Sequence, residues 1–225
     1  MATSLALVKP QIKLEDPLVY LSTSSILDYR KGQVIYNQDH PSTNICLVID
    51  GKVKVCRIAA DGRPVIVDIY QHKDFFGESA LFNSPTRDEQ AVALENTTVM
   101  AWTMAEIEEI VMRSPRLGVA LLQMLARRSI EFGCRIESFS VDSAARRLGR
   151  GLIRFSERLG QSADDGSVQI MPFTHELLSQ YVGTSREVVT HFMNQFRRQG
   201  YLSYSRKGIF LRPDALKSWF EQQTA

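Results

Sequence analysis

The spacing of apolar positions changes twice along the chain, and the changes divide it. From Ile26 to Thr103, short runs rich in Val and Ile (QVIY, ICLVI, KVKVCRI, VIVDIY and TTVMAW) are separated by turn residues at Lys31-Gly32, Asp50-Gly51 and Asp61-Gly62. That texture predicts β-strands, and Asp50-Gly51 between Ile49 and Val53 predicts a hairpin. Many short strands at regular spacing imply a compact antiparallel roll or barrel. The period then becomes helical, with a short helix over 104–112 that Ser114-Pro115 breaks. A long helix follows from Arg116 to about Ser140. On it Leu122, Leu125, Ser129, Phe132, Ile136 and Phe139 recur at alternating steps of three and four, the spacing of a coiled-coil seam. A second row, Leu117, Leu121 and Met124, suits packing back on the roll. One wide apolar face buried within a monomer is the alternative for these rows. Asp142 is a candidate cap for a further helix over 144–159, whose Arg146, Arg147, Arg150, Arg154 and Arg158 read as a solvated basic face.

Two more helical patterns meet at a turn between Phe173 and Leu202. Thr174 precedes an apolar run and caps a helix burying Leu177, Leu178 and Tyr181. Gly183 sits where the chain takes a positive φ at no steric cost, and Ser185 caps the next helix. That helix buries Val188, Val189, Phe192 and Phe196 and ends at Gly200. Its other face carries Arg186, Glu187, Thr190, His191 and Asn194, with Thr184 at its entrance. Side chains of these types reach base edges or phosphates from a helix lying in a major groove. Tyr201 to Leu211 then reads as two short strands around a basic turn, a wing with Arg206 and Lys207 at its tip to touch phosphate. A helical hairpin with a merely solvated polar face is the plainer reading of the same residues.

Composition narrows the class. With 225 residues there is room for two modest domains, and 44% hydrophobic with 23% charged residues describes a chain able to bury a core. No apolar run is long enough to cross a membrane and the N-terminus lacks a secretory pattern, so the expected location is the cytoplasm. Cys46, Cys56 and Cys134 are odd in number and widely spaced, which suits buried structural thiols rather than disulfides. From Asp142 onward there are 12 Lys and Arg against 8 Asp and Glu; before it, 15 against 17. The basic excess therefore travels with the helix-turn-helix. His40, His72, His175 and His191 show no metal-ligand spacing, and no metal is expected. No nucleophile, base and orienter stand at a recognisable spacing, which argues against an enzyme.

One segment breaks the strand alternation: FFGESALFNSPT, residues 75–86, followed by Arg87, Asp88 and Glu89. A Gly-Glu pair opening one helical turn inside a β-roll can receive an anion on backbone N–H groups. FGESALF followed by RDEQAVALENTTV resembles the phosphate-binding cassette of cyclic-nucleotide-binding rolls, and with the helix-turn-helix nearly the whole chain is similar to the Crp/Fnr family of bacterial transcription regulators. The resemblance implies an α+β fold: an N-terminal antiparallel β-roll of the double-stranded β-helix type over 1–115, a long dimerisation helix over 116–141 and a C-terminal winged helix-turn-helix over 142–225. It implies a homodimer on palindromic double-stranded DNA, with RNA polymerase as a further partner. Leu122, Leu125, Ser129, Phe132, Ile136 and Phe139 become the dimer interface, and Phe76, Gly77, Glu78, Ser79, Arg87 and Asp88 the effector site.

Cyclic nucleotide is the effector the resemblance brings, and no cofactor follows from the residues themselves. In cyclic-nucleotide binders of the family the cassette Glu holds a ribose hydroxyl, Arg neutralises the phosphate, and Ser adds a hydrogen bond. Glu78 and Arg87 match, but Asp88 stands in the Ser place, where a carboxylate opposes a phosphate unless it pairs with Arg87. The Thr-Ser pair that reads adenine is also missing near Glu131 to Cys134. Iron–sulfur chemistry lacks an N-terminal Cys group, and a haem ligand has only His40 or His72 as candidates. In the recognition helix the family pattern Ser-Arg-Glu-Thr-Val, with a second Arg four residues after the Glu, is met by Arg186 and Glu187 but has His191 in the second Arg place. A cyclic-nucleotide-binding regulatory module acting on a protein partner is the alternative function.

Overall fold

The computed structural model describes residues 14–82, 85–205 and 208–222. The Val- and Ile-rich runs form β1 (Ser25–Tyr29), β2 (Val34–Tyr36), β3 (Asn44–Asp50), β4 (Lys52–Ile58), β5 (Pro64–Gln71), β6 (Phe75–Phe76), β7 (Gln90–Ala93) and β8 (Thr97–Thr103). They assemble into two four-stranded antiparallel sheets, ordered β1-β8-β3-β6 and β2-β7-β4-β5. The Asp50-Gly51 turn closes no hairpin, because β3 and β4 lie in different sheets. Gly51, at φ +83°, is a corner where the chain crosses between them; a Cβ there would lie 2.5 Å from the Asn96 carbonyl oxygen. The hairpin comes one turn later, around Asp61-Gly62, where Ile58 pairs with Pro64. Turn residues specify a reversal, whereas packing between sheets selects the partner strand.

Helix α1 (Met104–Arg113) starts at a capping box of Thr103 and Glu106, and α2 (Arg116–Val141) is the long helix. Leu117 and Leu121 pack with Ile45, Leu47, Phe75, Trp102 and Ile107, so the second apolar row does lie on the roll. Successive β3 residues point to opposite faces. Ile45 and Leu47 meet the helices while Cys46 and Val48 fill the roll interior, which is why ICLVI shows no alternation.

The C-terminal part comprises α3 (Ala144–Leu159), β9 (Gln161–Ser162), β10 (Val168–Ile170), α4 (His175–Val182), α5 (Arg186–Arg198), β11 (Leu202–Ser205), β12 (Gly208–Leu211) and α6 (Pro213–Gln222), with a sheet ordered β11-β12-β10-β9. Ser143, not Asp142, caps α3. Asp142 is buried and takes Arg146 at 2.9 Å and Arg150 at 2.7 Å instead. Nor is the α3 arginine row a solvated face. Arg147 donates to the Val182 and Asp142 carbonyls, and Arg154 and Arg158 reach back to Asp68 on β5. One apolar cluster joins Cys56, Ile66 and Ile69 of the roll to Leu152, Phe155, Tyr181, Val189, Met193 and Phe196 of the helices.

Candidate DNA-reading surface and effector cassette

The helix-turn-helix follows from local chemistry. Thr174 Oγ1 accepts from Leu177 N at 3.0 Å, Gly183 closes α4 in the left-handed region at φ +67°, and Ser185 accepts from Val188 N at 3.3 Å. Leu178, Tyr181, Val189 and Phe196 are buried as expected; Met193 joins them, and Leu177, Val188 and Phe192 are half-buried. Arg186, Glu187 and His191 stand exposed on the first two turns of α5, with Thr184 and Asn194 half-buried beside them. A backbone N–H and the Ser185 hydroxyl hold the Glu187 carboxyl below its usual range. Arg206 and Lys207 lie outside the described residues.

Thr190 is engaged within the protein. Its hydroxyl donates to the Arg186 carbonyl at 2.8 Å, so the His175 Nδ1, 2.8 Å from the same oxygen, is the donor to it. The other ring nitrogen then faces the Tyr204 hydroxyl at 3.4 Å. His175 thus ties α4, α5 and the wing strand β11 together as a neutral imidazole, its pKa lowered by burial and by the nearby Arg186 charge. Sequence reasoning passed over His175 because its partners lie 15 and 29 residues away.

In the roll, β6 ends at buried Phe76, Gly77 turns at φ +78°, and Glu78–Phe82 make a 3-10 turn. Arg87, 3% exposed, donates to the Asn44 carbonyl at 2.6 Å and, at 3.4 Å, to the Gly77 carbonyl and Ser79 hydroxyl. Its guanidinium stacks 3.8 Å from the centre of the Tyr36 ring. A Cβ on Gly77 would come 2.9 Å from this guanidinium, so the turn fits closely around it. Ser79 also meets Ser42 at 2.9 Å. Asp88 does not pair with Arg87: it points outward to the surface Arg57. Glu89 is the carboxylate turned inward, where it accepts from the Tyr36 hydroxyl at 2.8 Å. Burial pushes its pKa up, with Glu78 and Asp88 adding to the effect.

A residue absent from the sequence reading completes this site. Arg128 of α2 enters the cassette, its Nη1 2.9 Å from Glu78 though off the line of a hydrogen bond, while Nη2 donates to the Phe75 carbonyl. Its guanidinium lies 4.7 Å from the centre of the Tyr70 ring. A cyclic nucleotide needs Glu78 for its ribose and Arg87 for its phosphate. Here Glu78 faces Arg128, and the Arg87 fork is turned onto carbonyl oxygens. Both groups that such a ligand would use are thus engaged within the protein.

Along α2, Leu122, Ser129, Ile136 and Phe139 are exposed and Leu125 and Phe132 half-buried, leaving an apolar stripe without cover in one protomer. Phe139 is shared, since its ring also meets the α4–α5 turn, 2.9 Å from where a Gly183 Cβ would be. Cys46 and Cys56 are buried, and burial pushes the Cys46 thiol up to about 12. Cys134 is exposed, against the expectation of three buried thiols. Among the described residues no helix is long and apolar enough to cross a membrane, and no group of three or more His, Cys, Asp or Glu could hold a metal ion.

A β-roll with an inward-facing cassette, joined through a long helix to a winged helix-turn-helix, defines a sensor coupled to a DNA-binding module. Comparison with known proteins agrees. Residues 26–114 match the cyclic nucleotide-binding domain and residues 146–219 the Crp-like helix-turn-helix domain. The CRP-like cAMP-activated global transcriptional regulator of Mycobacterium tuberculosis is 24% identical over 186 residues, 82% of this chain and 83% of that protein. Among solved structures, FixK2 from Bradyrhizobium japonicum superposes with a TM-score of 0.77 at 24% identity, covering 88% of this chain and 97% of that one. A CRP/FNR-family transcriptional regulator from Thermus thermophilus gives 0.71 at 26% identity, covering 88% and 98%. The chain belongs to the Crp/Fnr family of DNA-binding transcription regulators, which are not enzymes.

Proposed function

We propose that this regulator binds a twofold-symmetric DNA site as a homodimer joined along α2, reading each half-site with Arg186, Glu187 and His191, and that its roll is closed by its own side chains rather than by a cyclic nucleotide. The observation that carries the reading is the contrast in engagement of the charged groups. Arg186 and Glu187 project from the first turn of α5 into solvent, where Arg suits guanine and Glu suits cytosine. Arg87 and Glu78 are held by carbonyls and by Arg128. Leu122, Leu125, Ser129, Phe132, Ile136 and Phe139 supply the seam, and two-fold pairing would place the α5 helices about one DNA turn, roughly 34 Å, apart. Thr174, Thr184, Ser185, Thr190 and Asn194 support the reading helix, and RNA polymerase is the further protein partner. One imidazole hydrogen bond from His191, in place of an Arg fork, weakens guanine preference at that base.

Mobility shift on palindromic probes selected from random DNA tests the DNA half of this reading. Affinity should fall steeply with salt, and the selected site should differ from an unmodified TGTGA half-site at the His191 position. Titration calorimetry with cyclic AMP tests the other half, with no saturable heat expected. Saturable micromolar binding that disappears in Arg87→Ala would overturn the closed cassette.

A further inference from the structure

Strand β5 carries a carboxylate that belongs neither to the cassette nor to the recognition helix. Asp68 is 3% exposed. Its Oδ1 accepts from Ile69 N at 2.9 Å, and its Oδ2 holds two guanidiniums from successive turns of α3, Arg154 at 2.9 Å and Arg158 at 2.7 Å. The pair is stitched outward as well. Arg154 reaches Glu131 of α2 at 2.7 Å, Arg158 reaches Asp74 at 3.1 Å, and Gln71 donates to the Arg158 carbonyl. Arg135, one turn beyond Glu131, donates to the Val67 carbonyl, to that of Ile66 at 3.1 Å and to that of Tyr181 in α4 at 3.3 Å. One strand of the roll is thereby bonded to α2, α3 and α4 together.

Burying such a cluster is a poor way to gain stability, since desolvating each ion offsets most of the attraction. What two guanidiniums on one carboxylate oxygen do provide is geometry. Residues 154 and 158 lie one turn apart on α3, so a shared oxygen sets both the rotation of the helix and its height on β5. Helices α4 and α5 follow α3, because all three share the cluster of Phe155, Tyr181, Val189 and Phe196. We infer that Asp68 is a positioning residue for DNA recognition: it fixes the angle between α5 and the dimer helix α2, and so the separation of the two recognition helices.

This inference rests on the two-fold DNA reading, and its consequence is specific. A dimer gains affinity by engaging both half-sites at once, and that gain vanishes when the separation does not match the DNA. Loss of positioning should therefore weaken binding to a full site and spare binding to one half-site. The experiment compares native protein and Asp68→Asn on a full selected site and on a single half-site, with circular dichroism to establish the folded fraction. The expected result is a loss of roughly tenfold or more on the full site with half-site affinity unchanged. If both affinities fall by the same factor, Asp68 has only a structural role and the inference is wrong. If native protein shows no preference for the full site, it is the two-fold reading that fails. Should Asp68→Asn not fold, Arg158→Gln leaves Asp68 with Arg154 and must give the same selective loss.

Discussion

Arg87 and Arg186 carry the same guanidinium, yet one is buried against carbonyl oxygens of Asn44 and Gly77 while the other stands in solvent on the first turn of α5. Their neighbouring carboxylates divide in the same way. Glu78 faces Arg128 within the cassette, whereas Glu187 is held at its own helix start by a backbone N–H and the Ser185 hydroxyl. A charged group engaged by its own fold has little left to offer a ligand, and one left in solvent beside a helix N-terminus can bind without first breaking contacts. Arg87 and Glu78 are thus engaged within the protein, whereas Arg186 and Glu187 at the start of α5 are left exposed to solvent.

Arg87 should show the greatest change on substitution. Arg87→Ala strips the cation from Tyr36 and removes the guanidinium that donates to the Asn44 carbonyl, so urea unfolding should show a loss of about 3 kcal/mol. An unchanged midpoint would mean that the guanidinium is free for a ligand after all. Arg186→Ala should do the opposite, leaving unfolding unchanged and weakening specific DNA binding by about 1 to 3 kcal/mol in mobility shift.

Glu89 gives a smaller effect with a definite sign. Burial holds its carboxyl above the usual glutamate range, so the folded state binds this proton more tightly than the unfolded chain does. Its contribution is fully present below the ordinary glutamate value and is lost as pH rises through the raised one. Glu89→Gln keeps an acceptor for the Tyr36 hydroxyl and should flatten that stretch of the stability curve, gaining on the order of 1 kcal/mol at neutral pH. A variant whose pH profile overlays the native one would remove Glu89 from the account. The mildest change is His191→Arg, which should leave the fold and overall affinity nearly as they are and restore guanine at one base of the selected site. The same selected sequence from both proteins would show that residue 191 reads nothing.

Most features that depend on near neighbours were legible in the chain, although the α3 cap is Ser143 and not Asp142. Thr174 and Ser185 cap the helices expected of them, and Gly183 takes its positive φ where the turn needs one. The FGE segment does turn inward within the roll. Features that depend on distant partners were not. Arg128 lies 53 residues from the Phe75 carbonyl it meets, and Arg154 lies 86 from Asp68. The arginines of α3 repeat at helical spacing on what looked like an open face, and nothing local says that β5 covers it. Asp88 and Glu89 were exchanged in role for a related reason. Adjacent residues near a strand start point to opposite sides, and only the roll's closure decides which side is inside.

By itself the sequence determined most of the order of elements, the caps Thr174 and Ser185 with the turn at Gly183, and the pair Arg186 and Glu187 at the start of α5. Each rests on residues within about one turn of one another, where backbone propensity and side-chain hydrogen bonds act without outside help. The tertiary structure alone decided that β3 and β4 part into separate sheets, that Arg128 fills the cassette, and that Asp68 holds α3. These contacts form only once burial has brought remote segments together, and a buried charge takes whichever partner the packing leaves within reach.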